Sequence, residues 1–299
     1  MHPTIVKQLN AYKEKQINRG RLLIKCPDQP GIVSAVSKFL FDHGANIIES
    51  NQYSTDPQGG EFFMRIEFEC SELLHKLQDL KDQFQSIGEN FSMKWTLSSV
   101  SNMKKTAIFV SKELHCLREL LWEWQSGDLM TEIAFVVSNH EVAREEVELL
   151  GIPFYYIPAS KENRAEAEAQ QLKLLEEYGI DLIILARYMQ ILTPNFVEAN
   201  PFKIINIHHS FLPAFVGARP YDRAYQRGVK LIGATSHYVT NDLDEGPIIE
   251  QDIMRVDHRD NIDDLKKIGR SIERSVLARA VKWHIDDRII VHGNKTIVF

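Results

Sequence analysis

The stretch that decides the fold of this chain reads, from Ile204 to Gln251, IINIHHSFLPAFVGARPYDRAYQRGVKLIGATSHYVTNDLDEGPIIEQ. It begins with a short apolar strand, predicted over 203–207, that runs into polar residues. A Pro/Gly-rich loop and a short amphipathic helix then precede a second predicted strand, 231–239, and an acidic turn, 240–246. Polar residues at neighbouring strand ends are typical of the ligand-binding rim of an open α/β sheet.

Three polar residues of this stretch are candidate catalytic groups. Asn206 and His208 lie two positions apart at a strand end, so their side chains project to the same face. An amide donor beside an imidazole suits the stabilisation of a developing oxyanion. Asp244 lies in a turn that Gly246 and Pro247 close, where it can serve as a base. Because an ordinary Asp has a pKa near 3.9 and is a poor base at neutral pH, we expect partial burial to raise the pKa of Asp244.

Four motifs stand in this stretch: Asn-Ile-His at 206–208, Leu-Pro at 212–213, His237 and Leu-Asp-Glu-Gly-Pro at 243–247. In order and spacing they resemble the folate-dependent formyltransferase superfamily. The sequence FVGARPY at 215–221 is similar to the formyltetrahydrofolate deformylase branch of that superfamily. This resemblance implies an enzyme that hydrolyses 10-formyltetrahydrofolate to formate and tetrahydrofolate, supplies formate for purine synthesis and balances the one-carbon folate pools. Folate is then the substrate, and we expect no cofactor and no metal.

The resemblance also implies where the pterin ring binds, in a slot between residues 185–192 and the turn at 240–244. Taken alone, Leu185 and Leu192 are equally compatible with an ordinary core. Gln190 stands where the glycinamide-ribotide transferases of the superfamily usually carry Arg, which leaves the contacts to the outer folate tail open. The residues predicted to bind substrate are Leu185, Tyr188, Gln190, Leu192, His237 and Thr240.

The first turn between strand and helix separates hydrolysis from formyl transfer. The resemblance implies that the ribotide transferases have a Gly-rich loop at this turn, which holds the phosphate of the acceptor. Here residues 110–117 read VSKELHCL, without glycine, and Glu113 would repel phosphate. Water is therefore the expected nucleophile. His115 either closes the acceptor pocket or is an ordinary helix residue. Arg219 either covers the pocket or is a surface charge. The alternatives are a folate-dependent formyltransferase acting on an amine acceptor and a catalytically dead amino-acid-sensing protein.

Residues 20–100 show a different pattern, with the element order βαββαβ of a ferredoxin-like unit. The Asp-Gln-Pro-Gly turn at 28–31 and the Gly-Ala-Asn-Ile sequence at 44–47 resemble an ACT domain. That resemblance implies either a small amino-acid effector, for which Asp28, Gly31 and Asn46 are the candidate residues, or a purely structural dimerisation module. In both cases we expect a homo-oligomer, a dimer or tetramer, paired through exposed strands.

The remaining pattern fixes the predicted domain limits. Residues 1–19 are a polar lead-in, 101–105 are a linker, and 106–299 form the catalytic domain. In that domain, strands alternate with helices, and continuous apolar runs such as LIIL at 182–185 indicate strands buried on both faces. The predicted fold class is α/β, a ferredoxin-like ACT unit followed by a Rossmann-like, doubly wound and mostly parallel sheet.

Composition excludes several classes of function. A net charge of −6 and a pI near 6.0 disfavour nucleic acid as a partner. No apolar run reaches the roughly 20 residues that a membrane helix needs, and the polar N-terminus does not resemble a signal peptide. Cys26, Cys70 and Cys116 are far apart and form no CxxC pair. We therefore expect a cytoplasmic protein with reduced thiols and no membrane partner.

Overall fold

The computed structural model describes residues 2–56, 58–160, 162–214 and 220–299. The chain forms two compact units, which we call the small and the large unit. The small unit comprises Lys7–Met103 with Asp286–His292 and Ile297–Phe299, and the large unit comprises Lys104–Ile285 with 2–6 and Gly293–Thr296. Among the described helices, none combines the length and the apolar character required to cross a bilayer.

The small unit has the predicted βαββαβ order, with an antiparallel sheet in the strand order β2-β3-β1-β4. A helix precedes it in the chain, within the predicted polar lead-in 1–19, where the residues 6–16 were compatible with a helix. The elements up to the end of this sheet are α1 (Pro3–Lys15), β1 (Arg19–Pro27), α2 (Ile32–Asp42), β2 (Asn46–Ser54), β3 (Glu61–Glu69), α3 (Leu73–Asn90) and β4 (Lys94–Ser99).

The central strand β3 of this unit is buried on both faces. On one face its alternate residues Phe62, Met64, Ile66 and Phe68 enter the core. On the other face lies Arg65, which is 2% exposed. Its guanidinium pairs with Glu49 and Glu67 and donates to the carbonyl oxygens of Asp286 and Asp287 at 3.0 and 3.1 Å.

These contacts explain why the compact units depart from the predicted domain limits. Residues 286–292 and 297–299 lie in the small unit, although the sequence suggested that everything after residue 105 forms one domain. A buried Arg needs acceptors, and the chain supplies them from two carbonyl groups more than 200 residues away in sequence. Hydropathy patterns carry no signal for a contact of this kind.

The large unit is built on a seven-stranded sheet in the order β11-β10-β9-β8-β5-β6-β7. Its elements are β5 (Lys105–Val110), α4 (His115–Ser126), β6 (Glu132–Ser138), a 3₁₀ turn (Glu141–Ala143), α5 (Arg144–Leu149), β7 (Phe154–Tyr156), α6 (Arg164–Tyr178), β8 (Leu182–Ala186), α7 (Pro194–Ala199), β9 (Ile204–His208), α8 (Pro220–Arg227), β10 (Leu231–Tyr238), β11 (Ile248–Arg255) and α9 (Ile262–Ile285). The chain ends in a hairpin of β12 (Ile289–His292) and β13 (Lys295–Val298).

The sheet confirms the predicted mostly parallel, doubly wound class. Strands β5 to β9 pair in parallel, and β8 is buried at all five positions, as its run of Leu and Ile indicated. Among the described strands of this sheet, β10 alone is reversed, because it pairs antiparallel with both of its neighbours, β9 and β11. From β5 the chain moves outward through β6 and β7 and then returns to place β8 on the other side of β5. That reversal between β5 and β8 is the position where open α/β sheets bind ligands, beyond the carboxyl ends of the strands.

Candidate active site

The end of β9 and its pairing with β10 bring the first two candidate residues to the predicted rim. Asn206 pairs with His237, and His208 with Thr235, across the antiparallel ladder. Asn206 also lies opposite Leu185 at the end of β8. Because β8 and β9 run in parallel, their carboxyl ends open on the same side of the sheet.

Asp244 lies close to two histidines of this rim, His208 and His237. Its Oδ2 atom lies 3.2 Å from His208 Nδ1, and its Oδ1 atom lies 3.7 Å from His237 Nε2. Each side chain is largely buried, with exposed fractions of 13% for Asp244, 7% for His208 and 2% for His237. The structure therefore brings the three predicted catalytic residues into one cluster, with His237 beside them.

His237 fixes the orientation of the Asn206 amide. Its Nδ1 lies 2.9 Å from the carbonyl oxygen of Tyr238, which can only accept, so this nitrogen carries the proton. The other ring nitrogen, Nε2, lies 3.2 Å from Asn206 Nδ2 and 3.7 Å from Asp244 Oδ1. The Asn206 amide carries two N–H groups, and one of them can point away from this ring toward a ligand. The buried ring of His237 thus positions the Asn206 amide. The sequence analysis predicted His237 only as a substrate-binding residue and did not suggest this role.

The pKa of Asp244 departs from the expected direction. Burial raises the pKa of its carboxyl, but the adjacent rings of His208 and His237 lower it by more, so the pKa lies below the ordinary value of 3.8. The expected rise is therefore wrong, because the sequence showed the turn but not the two imidazoles that face it. Asp244 is a carboxylate at neutral pH.

The turn that holds Asp244 is sterically constrained. Asp244 has φ of 60°, a left-handed conformation that is uncommon for a residue other than glycine. Gly246 passes so close to the main chain that a Cβ there would lie 1.8 Å from the carbonyl oxygen of Tyr238. Such local strain concentrates at functional sites, where the surrounding structure imposes it.

A cavity of about 940 Å³ opens beside this cluster. It contains space for a pterin-sized ligand, since small-molecule sites usually measure roughly 300–1,000 Å³. Tyr188 is mainly a core residue, because it is 5% exposed and its hydroxyl accepts from Gln171 at 2.9 Å. The cavity is lined by all six predicted substrate-binding residues, Leu185, Tyr188, Gln190, Leu192, His237 and Thr240.

Three residues that the sequence did not single out anchor the loops of this cavity. Ser111 accepts a hydrogen bond from the amide of Met189 at 3.0 Å, which ties the first βα turn to the loop after β8. Glu168 accepts from the amide of Thr193 at 2.9 Å at the far end of the same loop. Thr235 accepts from the amide of Leu212 at 3.0 Å. Only long-range contacts reveal these roles, since each residue is ordinary in its local sequence.

A second polar cluster lines the same cavity around Glu273 of α9, which is 1% exposed. Tyr221 donates its hydroxyl to Glu273 Oε1 at 2.7 Å, His115 Nε2 lies 2.8 Å from Oε2, and Arg187 Nε lies 3.4 Å from Oε2. We call these four residues the Glu273 cluster. Burial raises the pKa of Glu273, but His115 and Arg187 lower it by more, so the group is ionised.

The first βα turn has the crowded character that its sequence indicated. Leu114 and Cys116 are buried there, while Lys112 and Glu113 point to solvent. His115 is anchored by Glu273 and also lies 3.9 Å from Glu113. Of the two interpretations left open for His115, the anchored position at the cavity favours the one in which it closes the pocket.

The atoms of His115, Cys116 and Glu273 also lie within 4.8 Å of one another, a spacing that a metal ion can use. Burial and the charge of Glu273 raise the pKa of the Cys116 thiol well above its ordinary value. Because metals bind the thiolate, this site is poorly suited to a metal. The expectation of a metal-free enzyme stays a prediction.

The three candidate effector residues of the small unit are not brought together within one chain. Asp28 follows β1 and accepts a hydrogen bond from Ser54 at the end of β2, whereas Asn46 is the first residue of β2 and pairs with Glu69. A strand of nine residues spans about 25 Å, so Asn46 lies at the opposite end of the sheet. Gly31 begins α2 with φ of 97° and lies near Asp28 in sequence. The antiparallel path of β2 is the reason for the separation.

One predicted feature lies outside the described residues. The FVGAR part of the 215–221 motif, with Arg219, falls in the segment 215–219. Tyr221, which follows it, belongs to α8 and to the Glu273 cluster.

Comparisons with known proteins agree with both units. A formyl transferase family model matches residues 104–281, and an ACT domain model matches residues 20–85. A formyltetrahydrofolate deformylase of Bacillus subtilis is 68% identical over 299 residues, covering 100% of both chains. A formyltetrahydrofolate deformylase of Mycobacterium tuberculosis is 52% identical over 281 residues, covering 94% of this chain and 90% of that protein.

Solved structures separate two groups of relatives. The crystal structure of a formyltetrahydrofolate deformylase from Pseudomonas syringae matches with a TM-score of 0.91 at 44% identity, covering 98% of this chain and 99% of that one. A glycinamide ribonucleotide transformylase from Symbiobacterium toebii matches with a TM-score of 0.62 at 30% identity, covering 66% of this chain and 94% of that one. The second match leaves about a third of this chain uncovered.

Proposed function

This chain belongs to the formyltetrahydrofolate deformylase family, and from that premise we propose that it hydrolyses 10-formyltetrahydrofolate to formate and tetrahydrofolate. The observation that carries the proposal is the cluster of Asn206, His208 and Asp244 at one wall of a pterin-sized cavity. A formamide carbon needs a nucleophile, a base to accept its proton and donors for the oxygen that becomes negative. The cluster offers the base and the donors, and water supplies the nucleophile.

The proposed reaction adds water to the formyl carbon. The ionised Asp244 accepts the proton of the attacking water, directly or through a second water, and its Oδ2 also lies 3.2 Å from His208 Nδ1. The carbonyl oxygen becomes an oxyanion that faces the free N–H of Asn206 and Nε2 of His208. This Nε2 is buried and has no hydrogen-bond partner in the part of the chain that the structure describes.

The tetrahedral intermediate then collapses. The bond between the formyl carbon and N10 breaks, and the proton held by Asp244 passes to N10, so that tetrahydrofolate and formate leave. His208 stabilises the oxyanion only when its ring carries both protons, because one N–H faces Asp244 and the other must donate.

Formyl transfer to an amine acceptor is the second candidate function, and the similarity to glycinamide ribonucleotide transformylases is the observation that favours it. Against it stands the first βα turn, where no glycine keeps side chains away from a phosphate. We therefore favour water as the nucleophile.

A competition assay tests the choice. Purified protein is incubated with 10-formyltetrahydrofolate, with and without glycinamide ribotide, and both formate and formylated ribotide are quantified. We expect the same rate of formate release in both reactions and no formylated ribotide. Formyl transfer that outpaces hydrolysis would contradict the proposal.

The small unit suggests regulation and assembly. We propose that it mediates homo-oligomerisation, as a dimer or tetramer, and responds to a small amino acid, because it belongs to the ACT family of modules. The strand β2 supports assembly, since it is an edge of its sheet and most of its residues are exposed. The three buried free cysteines suit a reducing cytoplasm, where the product formate would enter purine synthesis and the one-carbon folate pools.

A further inference from the structure

The Glu273 cluster has no part in the reaction proposed above, yet it lines the same cavity. A buried carboxylate is costly unless it is paired, and here both oxygens are engaged. One receives the hydroxyl of Tyr221 at 2.7 Å, and the other lies 2.8 Å from His115 Nε2. Glu273 is therefore occupied by the protein itself rather than being available to a ligand.

The cluster lies directly beside the catalytic residues. The rings of His208 and His209 stack with centroids 5.1 Å apart, and the centroids of His209 and Tyr221 are 6.2 Å apart. A continuous series of side chains thus connects Asp244 to Glu273. Tyr221 therefore lines the same cavity as Asp244 and is linked to it through the two histidine rings.

Two unusual local features maintain this arrangement. Gly269 of α9 leaves room for Tyr221, because a Cβ at that position would lie 1.9 Å from the tyrosine hydroxyl oxygen. Arg187 reaches Glu273 from a left-handed backbone with φ of 62°, which is uncommon for a residue with a side chain. A glycine inside a helix and a strained arginine both cost stability, and both serve the same cluster.

We propose that the Glu273 cluster determines nucleophile specificity by occupying the space that an amine acceptor would need, which leaves room for water alone. The inference rests on the proposed hydrolysis and adds the reason why transfer does not compete. An attacking amine must place its nitrogen about 3–3.5 Å from the formyl carbon while its substituent extends away. In this proposal the substituent would meet the ring of Tyr221 and the paired carboxylate of Glu273, which line the cavity, whereas a water molecule has no substituent to accommodate.

The test measures the partition of the formyl group between water and small amines. In hydrolysis, a C–O bond forms as the C–N10 bond breaks. In aminolysis, a C–N bond to the amine forms instead, and the proton of the amine passes to N10. The protein is supplied with 10-formyltetrahydrofolate and with hydroxylamine, methylamine or glycinamide in excess, and formate and formylated amine are both quantified.

Three variants open or displace the cluster by different means. Tyr221→Ala removes the ring, His115→Ala removes one partner of Glu273, and Gly269→Ala sets a Cβ against the Tyr221 hydroxyl and so displaces it from Glu273. Alanine favours a helix more than glycine does, so Gly269→Ala does not weaken α9 through its helix propensity. Tyr178→Ala is the matched control, since Tyr178 is a half-buried tyrosine whose hydroxyl is also hydrogen-bonded, at 2.7 Å to Tyr155.

The wild type and Tyr178→Ala should yield formate with little formylated amine. In Tyr221→Ala and Gly269→Ala the ratio of formylated amine to formate should rise by about tenfold or more, the scale expected when a pocket gains room for one small group. An unchanged ratio in folded variants, with formate still released, would overturn the specificity role alone. A wild-type protein that releases no formate would overturn the proposed hydrolysis and this inference with it.

Discussion

At the residue scale, the proposed mechanism gives a separate role in the reaction to each of Asn206, His208 and Asp244. Single substitutions test these roles. We expect Asn206→Ala, His208→Ala and Asp244→Asn to lower kcat by about 10²-fold or more each, because each removes an oxyanion donor or the proton acceptor. Formate release is measured together with the thermal unfolding midpoint. A folded variant with nearly normal turnover would remove its residue from the mechanism.

The ionisation of Asp244 gives a second test at this scale. Because the pKa of Asp244 lies below 3.8 in the folded protein, its charge stabilises the fold above the pKa of the unfolded chain. That stability is lost as the pH falls through the folded-state pKa, and the base function is lost over the same range. His237→Leu removes one of the two rings that lower this pKa, so the acid limb of activity should move to higher pH.

The pH–rate profiles are compared by the pH at which activity falls on the acid side, and not by the maximal rate. His237→Leu also frees the Asn206 amide, so its maximal rate should fall as well. His258→Leu is the control, because His258 is an exposed histidine remote in sequence from the turn that holds Asp244. A limb that stays in place in His237→Leu would show that His237 does not set the pKa of Asp244.

At the scale of elements, the turn between β10 and β11 holds the catalytic carboxylate in place. Gly246→Ala would set a Cβ 1.8 Å from the backbone carbonyl oxygen of Tyr238, which cannot move aside cheaply. We expect a loss of about 1–3 kcal/mol in the free energy of unfolding, the usual cost of overpacking, and a larger relative loss of turnover. Gly228→Ala is the comparison, because a Cβ there meets no atom within 4 Å, although its φ of 65° carries its own strain. Denaturant unfolding and kcat are measured for both, and equal turnover in the two variants would contradict this role of the turn.

The alternation of strands and helices was readable from sequence because it depends on local patterns. The run at 182–185 predicted a buried parallel strand, which is confirmed. The polar end of β9 predicted a functional rim, and the structure has a cavity lined by Asn206 and His208 there. The six-residue helix α7 has too few turns to show a periodicity and was missed. Whether Asn206, His208 and Asp244 are catalytic stays a prediction, although the structure places them together.

The electrostatic features were not readable, because they depend on residues that are distant in sequence. The low pKa of Asp244 arises from two imidazoles on β9 and β10. The Glu273 cluster joins residues 115, 187, 221 and 273, none of which has a neighbour in sequence that would signal the contact. Only the folded sheet brings such groups within hydrogen-bonding distance.

At the scale of the whole molecule, assembly is expected to depend on β2. This edge strand exposes apolar side chains, among them Ile48, which is 43% exposed. We expect Ile48→Lys to lower the assembly state, because a charge on an edge strand opposes pairing with another edge. Sedimentation velocity compares it with Leu149→Lys, a substitution of an 80% exposed leucine on α5 of the large unit. Identical sedimentation of the two variants would rule out assembly through β2.

The measurement that tests the central claim most directly is hydrolysis in ¹⁸O-labelled water with 10-formyltetrahydrofolate and no acceptor. If water attacks the formyl carbon, each formate keeps the original formyl oxygen and gains one oxygen from solvent. We therefore expect formate with a single ¹⁸O atom from the first turnover, formed in the wild type and reduced about 10²-fold in rate in Asp244→Asn. Formate without label, or no formate until an amine acceptor is added, would contradict hydrolysis at this site.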